Sequence, residues 1–182
     1  DDQPVRIAVP FVIDSSDVRR VKELLFEERF ALRNLGAHEG EFVAVGAVVE
    51  TPSAALSTLG LIEESDFLLI SLDNLQQHFL AADRSQHDLR DYFEPIHPTV
   101  LRSLRELALR SEEIGKPLAV FGESATSATN IALLLGCGLR EFCVPPVAME
   151  TFLTTVSRVD AGAALRVARP RSGRRHRDGG EL

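Results

Sequence analysis

Only two cysteines, Cys137 and Cys143, occur in 182 residues. They are too few for the disulfide framework of a small secreted domain, and neither has a companion histidine at zinc-binding spacing. That usage suits a reducing cytoplasm. Positive charge is not in excess either: 20 basic residues against 27 acidic ones leave a net charge of -7, so no broad cationic surface is available for nucleic acid. No apolar run approaches the roughly 18 residues of a membrane span, and Asp1-Asp2-Gln3 lacks the charged-then-apolar pattern of a signal peptide. A soluble chain with neither nucleic acid nor membrane as partner is expected. The start also lacks a methionine and enters an apolar stretch within a few residues, so a continuation upstream is expected.

With 45% hydrophobic residues the chain can bury one substantial core but not two. Short apolar runs alternate with helical patterns, the signature of β/α units on a parallel sheet. Five runs read as strands, at residues 5–12, 42–49, 67–72, 118–121 and 142–144. They are near-continuously apolar, as strands buried on both faces require. Residues 17–34 place Val18, Val21, Leu25 and Leu32 at helical spacing, with Ser15 or Ser16 as cap and Gly36 beyond the end. Thr51-Pro52 reads as an N-cap followed by proline at the first helical position. A long helix starts near Pro98 and stops at Gly115, and another ends at Gly136. Beyond Arg166 the chain changes character: six arginines, from Arg166 to Arg177, crowd among Pro, Gly and Ser with nothing apolar to pack. One domain over residues 1–165 is therefore expected, followed by a basic tail, 166–182, that reads as disordered or as a contact for an acidic partner.

Parallel β/α architectures bind ligands at the carboxyl ends of their strands, so the residues just after each apolar run are the candidates. Glu50 follows the second run, Asp73 and Asn74 the third, and Glu123 the fourth, while Arg84 lies a short helix after the third. Carboxylates in such places also cap helices, so position alone leaves both roles open. His38, His78, His87 and His97 form no triad or metal pair by spacing and read as surface or helix-start residues. The cysteines read as small buried hydrophobes.

Several segments carry a family resemblance. Val49-Glu50-Thr51-Pro52-Ser53-Ala54-Ala55 is similar to a VETPAA segment, and residues 66–84, DFLLISLDNLQQHFLAADR, resemble DFFSIGTNDLTQYTLAVDR. Pro95-Ile96-His97-Pro98 opens a P-x-[SH]-P-[SA]-V-L helix start, Gly115-Lys116-Pro117 through Gly122-Glu123 parallels a GK…CGE strand, and residues 134–142 parallel LLGMGLDEFS. Residues 5–11 parallel a strand reading LRIMFPM. Together these motifs, colinear from Val5 to Ser157, resemble Enzyme I of the bacterial sugar phosphotransferase system. That is the phosphoenolpyruvate-protein phosphotransferase family, whose barrel is shared by pyruvate phosphate dikinase and phosphoenolpyruvate synthase.

The resemblance implies a TIM-type (β/α) barrel of which this chain supplies the last five of eight units, with phosphoenolpyruvate as ligand and magnesium as cofactor. It places Glu50 and Asn74 at the two metal-binding positions, and Asp73 and Arg84 where the substrate phosphate is held. Departures accompany it. The family's Asn-Asp pair is Asp73-Asn74 here, so a metal carboxylate becomes an amide and a new anion faces the phosphoryl group. A carboxylate ~4 Å from a phosphate charge costs ~4 kcal/mol at an effective dielectric of ~20. The cysteine that serves proton transfer in the family is Phe121, and loss of general acid–base help removes ~10²–10⁴ in rate. Two functions are implied: a degenerate, non-catalytic barrel acting as a binding or assembly module, as a homodimer or with the rest of a longer chain, or an active phosphotransferase once joined to the missing parts.

Overall fold

The computed structural model describes residues 5–36, 42–160 and 162. Strand β1 (Arg6–Val9) leads into helix α1 (Ser15–Asn34), and β2 (Ala44–Val49) into the short helices α2 (Pro52–Leu56) and α3 (Thr58–Glu64). Strand β3 (Leu68–Ser71) runs straight into α4 (Leu72–Leu80), which precedes α5 (Pro98–Ile114). Then come β4 (Leu118–Phe121), α6 (Ala128–Cys137), β5 (Glu141–Cys143) and α7 (Met149–Arg158). The five strands form one sheet in sequence order, every pairing parallel, with β1 and β5 at its edges. Sequential order with helical crossovers is the arrangement of consecutive β/α barrel units.

The period of two along each strand divides the sheet into two unlike faces. Val45, Ala47 and Val49 of β2, Leu68 and Ile70 of β3, and Leu118 and Val120 of β4 join Leu61, Leu75, Leu104, Leu107 and Leu134 in one buried core. The helices cover that face. On the other, Ser71, Phe121 and Cys143 stand in register at the ends of β3, β4 and β5, with Phe121 half-buried and Cys143 exposed. Near the opposite end of this face Phe67 packs so tightly on Gly46 that a Cβ there would stand 2.5 Å from the ring.

Local chemistry sets the element ends. Thr51 is the N-cap of α2, its Oγ1 accepting from Ala54 N–H at 3.1 Å with Pro52 next in sequence. Gly115 closes α5 in the left-handed region. Five expectations need correction. The cap of α1 is Asp14, not a serine: Asp14 accepts from Ser16 N–H at 2.7 Å while Asp17 reaches back to Asp14 N–H, a reciprocal box. Leu32 is exposed, because α1 runs past the edge of the core that holds Val18. Helix α6 ends at Cys137, one residue later than Gly136, with Gly138 taking the left-handed cap at φ 103°. Residues 10–12 leave β1, since Pro10 lacks an N–H and Phe11 adopts φ 55°. The edge strands β1 and β5 are not buried on both faces, for Arg6, Glu141 and Cys143 are exposed. The arginine-rich tail, 166–182, and His38 lie outside the described residues.

Candidate functional site

Glu50 directly follows β2 and is 7% exposed. Both of its carboxylate oxygens are engaged: Oε1 accepts from Phe11 N–H at 2.6 Å and Oε2 from Asn74 Nδ2 at 2.7 Å. The left-handed turn at Phe11 supplies the first donor. Helix α4 supplies the second, because Asn74 and His78 lie four residues apart on one of its faces. His78 Nδ1 is hydrogen-bonded to the Glu50 carbonyl at 2.6 Å, and its ring meets that of Phe11 edge-on at 5.5 Å. Thr51 Oγ1 donates to Val12 O at 2.7 Å, tying the turn after β2 to the segment after β1.

Asp73, also 7% exposed, carries the second carboxylate. Its Oδ2 accepts from Glu123 N–H at 2.6 Å and stands 3.1 Å from Arg84 Nη1, while Oδ1 accepts from Ser124 N–H at 3.1 Å. The approach needs a glycine before Glu123. Gly122 sits at φ 129°, and a Cβ on it would stand 2.7 Å from Asp73 Oδ2. Asn130 holds this turn from behind, donating to Ser124 O and accepting from Ile96 N–H, each at 3.1 Å. A cleft of about 540 Å³ opens beside Asp73 and Arg84, with Arg90, Glu94 and Ser127 on its walls.

Glu50 with Asn74, and Asp73 with Arg84 and the Glu123 N–H, thus form two neighbouring bonded groups at the carboxyl ends of β2, β3 and β4. Phe121 ends β4 at the same rim, in register with Ser71 and Cys143. A wide apolar hollow of about 850 Å³ touches Leu69, Phe121 and Cys143. Cys143 is therefore not the buried residue that its apolar surroundings in sequence suggest, since it closes an edge strand. Cys137 is buried, and burial pushes its thiol up to about 11. Sequence reasoning passed over His78, whose i+4 spacing from Asn74 could have placed it, and Phe11, for which no local signal exists. His97 caps α5 by accepting from Thr99 N–H at 3.3 Å, and His87 is exposed.

A magnesium ion needs several oxygen ligands at close range. Among the described residues no three His, Cys, Asp or Glu side chains cluster to hold a metal. Asn74 presents its N–H, not its oxygen, to Glu50, so this pair does not fit a dication as it stands.

An all-parallel α/β sheet with carboxylates, an amide and a guanidinium gathered at its carboxyl rim defines a protein of the β/α ligand-binding class. Within that class the chain belongs to the family of PEP-utilising enzymes, as their PEP-binding domain, whose family model matches residues 2–161. It is similar to phosphoenolpyruvate-protein phosphotransferases. The one from Cupriavidus necator is 34% identical over 143 residues, covering 79% of this chain and 24% of the relative. That of Listeria monocytogenes is 27% identical over 164 residues, 90% of this chain and 29% of the relative. A third, from Staphylococcus aureus, is 34% identical over 138 residues, 76% and 24% respectively. The chain spans roughly a quarter of the length of these curated relatives. Among the described residues no helix is long and apolar enough to cross a membrane.

Proposed function

We propose that this chain is the later part of the phosphoenolpyruvate-binding barrel of a phosphotransferase-like protein, in a degenerate form that binds or assembles rather than catalyses. The domain is taken as residues 1–165, with 166–182 as its tail, in a cytoplasmic protein. The single observation that carries the reading is the 2.7 Å hydrogen bond from Asn74 Nδ2 to Glu50 Oε2. The family resemblance puts two metal-binding carboxylates at these positions. Two adjacent carboxylates repel one another and are relieved by a cation; a carboxylate and an amide satisfy each other and call for none. Phe121 at the proton-transfer position points the same way, since a phenyl ring carries no exchangeable proton.

The assembly half of the reading is supported by the face of the sheet that the helices leave uncovered. Phe121 and Leu69 are half-buried there, and Val147 nearby is 92% exposed. Apolar surface of that kind favours a homodimer or the remainder of a longer chain. A second reading, an active phosphotransferase in the full polypeptide, is supported by Glu50 and Arg84, which keep the residue types that a metal and a phosphate require. An upstream sequence with a phosphohistidine segment would favour it.

The test is calorimetric titration with phosphoenolpyruvate and magnesium, together with an assay for turnover. The unaltered chain should give neither binding heat nor product. The double variant Asp73→Asn/Asn74→Asp should gain weak binding, and adding Phe121→Cys should not strengthen it. Tight binding by the unaltered chain would overturn the reading.

A further inference from the structure

We propose that Asp73 is a resident oxyanion: its carboxylate fills an anion site built by the N–H groups of Glu123 and Ser124 and the guanidinium of Arg84, and thereby excludes phosphate-class ligands. The inference rests on reading this rim as a ligand site whose chemistry has been lost. Its geometry is that of an occupied site. Two successive main-chain N–H groups are shared between the two carboxylate oxygens, at 2.6 and 3.1 Å, and Arg84 Nη1 stands 3.1 Å from Oδ2. Successive main-chain N–H groups backed by a guanidinium suit any oxyanion, a phosphate as well as a carboxylate.

Three further features separate this arrangement from an ordinary surface ion pair. Asp73 is buried to 7% exposure, whereas the Arg84 side chain is 48% exposed, so the cation has a solvent side from which a second anion could reach it. The cleft beside them is polar and bounded by a second cation, Arg90, together with Glu94 and Glu123. Gly122, at φ 129°, leaves the N–H groups open to an oxygen atom that any Cβ would displace. An incoming phosphate meets the same donors but must displace a carboxylate tethered to α4, which loses no translational freedom on binding. Asp73 also repels it by like charge.

Removing that carboxylate should convert the rim into a site for a tetrahedral oxyanion, inorganic phosphate being the simplest probe. Thermal unfolding in phosphate, against sodium chloride of matched ionic strength, reads the effect. The unaltered chain should show no phosphate-specific rise in its midpoint. Asp73→Ala should show one, with phosphate affinity about 100-fold or more above the unaltered chain, as a relieved like-charge contact implies. Asp73→Asn keeps the shape and one acceptor and should respond in the same direction but less, which preserves the test if the alanine variant folds poorly. Asp73→Ala/Arg84→Gln should lose the response. A phosphate response in the unaltered chain equal to that of Asp73→Ala would overturn the proposal, as would its absence from both folded single variants. Because the probe contains neither phosphoenolpyruvate nor magnesium, failure here is distinct from failure of the degenerate-barrel reading.

Discussion

Two aspartates at the ends of the sheet, the partly exposed Asp66 at the amino end and the buried Asp73 at the carboxyl end, are held by nearly the same chemistry. Asp66 Oδ2 accepts from Val45 N–H at 2.8 Å, and Oδ1 lies 3.4 Å from Lys22 Nζ. Beside it Lys116 donates to Ser65 O at 2.7 Å. Asp73 has two main-chain donors and Arg84. What differs is the surroundings. The groove at Asp66 sets Phe26, Phe30, Phe42 and Val43 among the stems of Lys22, Arg29 and Arg33, whereas the cleft at Asp73 has Arg84, Arg90, Glu94 and Glu123 on its walls. A saturated carboxylate is a brace in the first place and an occupant in the second. Neither hydrogen-bond geometry nor a neighbouring cation separates the roles; the end of the β/α unit does.

The shared core sets the scale against which both rims are judged. Ile70→Ala or Leu104→Ala, each removing a fully buried side chain between the sheet and its helices, should cost ~2–5 kcal/mol in urea unfolding. Phe121→Ala, on the uncovered face, should cost less than ~1 kcal/mol because its ring already meets solvent. Equal losses would mean that the uncovered face is packed after all. The rims come next. Asp66→Ala should lose ~1–3 kcal/mol through the stranded Val45 N–H and Lys22, and phosphate should not restore it. If phosphate did restore it, the contrast between brace and occupant would collapse.

Thr51→Ala sharpens the carboxyl side further. It removes both the α2 cap and the bond to Val12 O, for a loss of ~1–2 kcal/mol by denaturant unfolding. The smallest effect at neutral pH concerns the cysteines. Cys143 should react with a thiol reagent in the native state, and Cys137 only on unfolding. Burial holds the Cys137 thiol at about 11 against an ordinary 9.0, so the unfolded chain loses this proton first. Stability should therefore hold below pH 9 and fall between pH 9 and 11, by at most ~1.4 kcal/mol per pH unit. Cys137→Ala should flatten that fall.

Much of this arrangement was legible in the residues. Apolar runs bounded by Gly, Pro and polar residues located all five strands, and the residues following them located the rim. Thr51-Pro52 and Gly115 marked helix ends because capping is local chemistry. Asp14 was missed because its box with Asp17 competes with two serines that look equally suited. The partners were less legible than the positions. Nothing near Glu50 in sequence signals that Phe11, 39 residues earlier, supplies a donor, nor does anything near Asp73 signal the N–H of Glu123, 50 residues later. Such pairings depend on how adjacent strands bring their following turns together, which only the parallel register fixes.

The claim that the rim donors are already engaged by the chain's own carboxylates can be observed directly at the amide groups. Phe11, Glu123 and Ser124 each donate an N–H to Glu50 or Asp73. In an ¹⁵N-labelled sample of the unaltered chain, their amide signals should stay in place as phosphoenolpyruvate and magnesium are added together. Saturable movement of the Glu123 and Ser124 signals would show that an outside anion takes those donors, and would contradict a self-occupied rim.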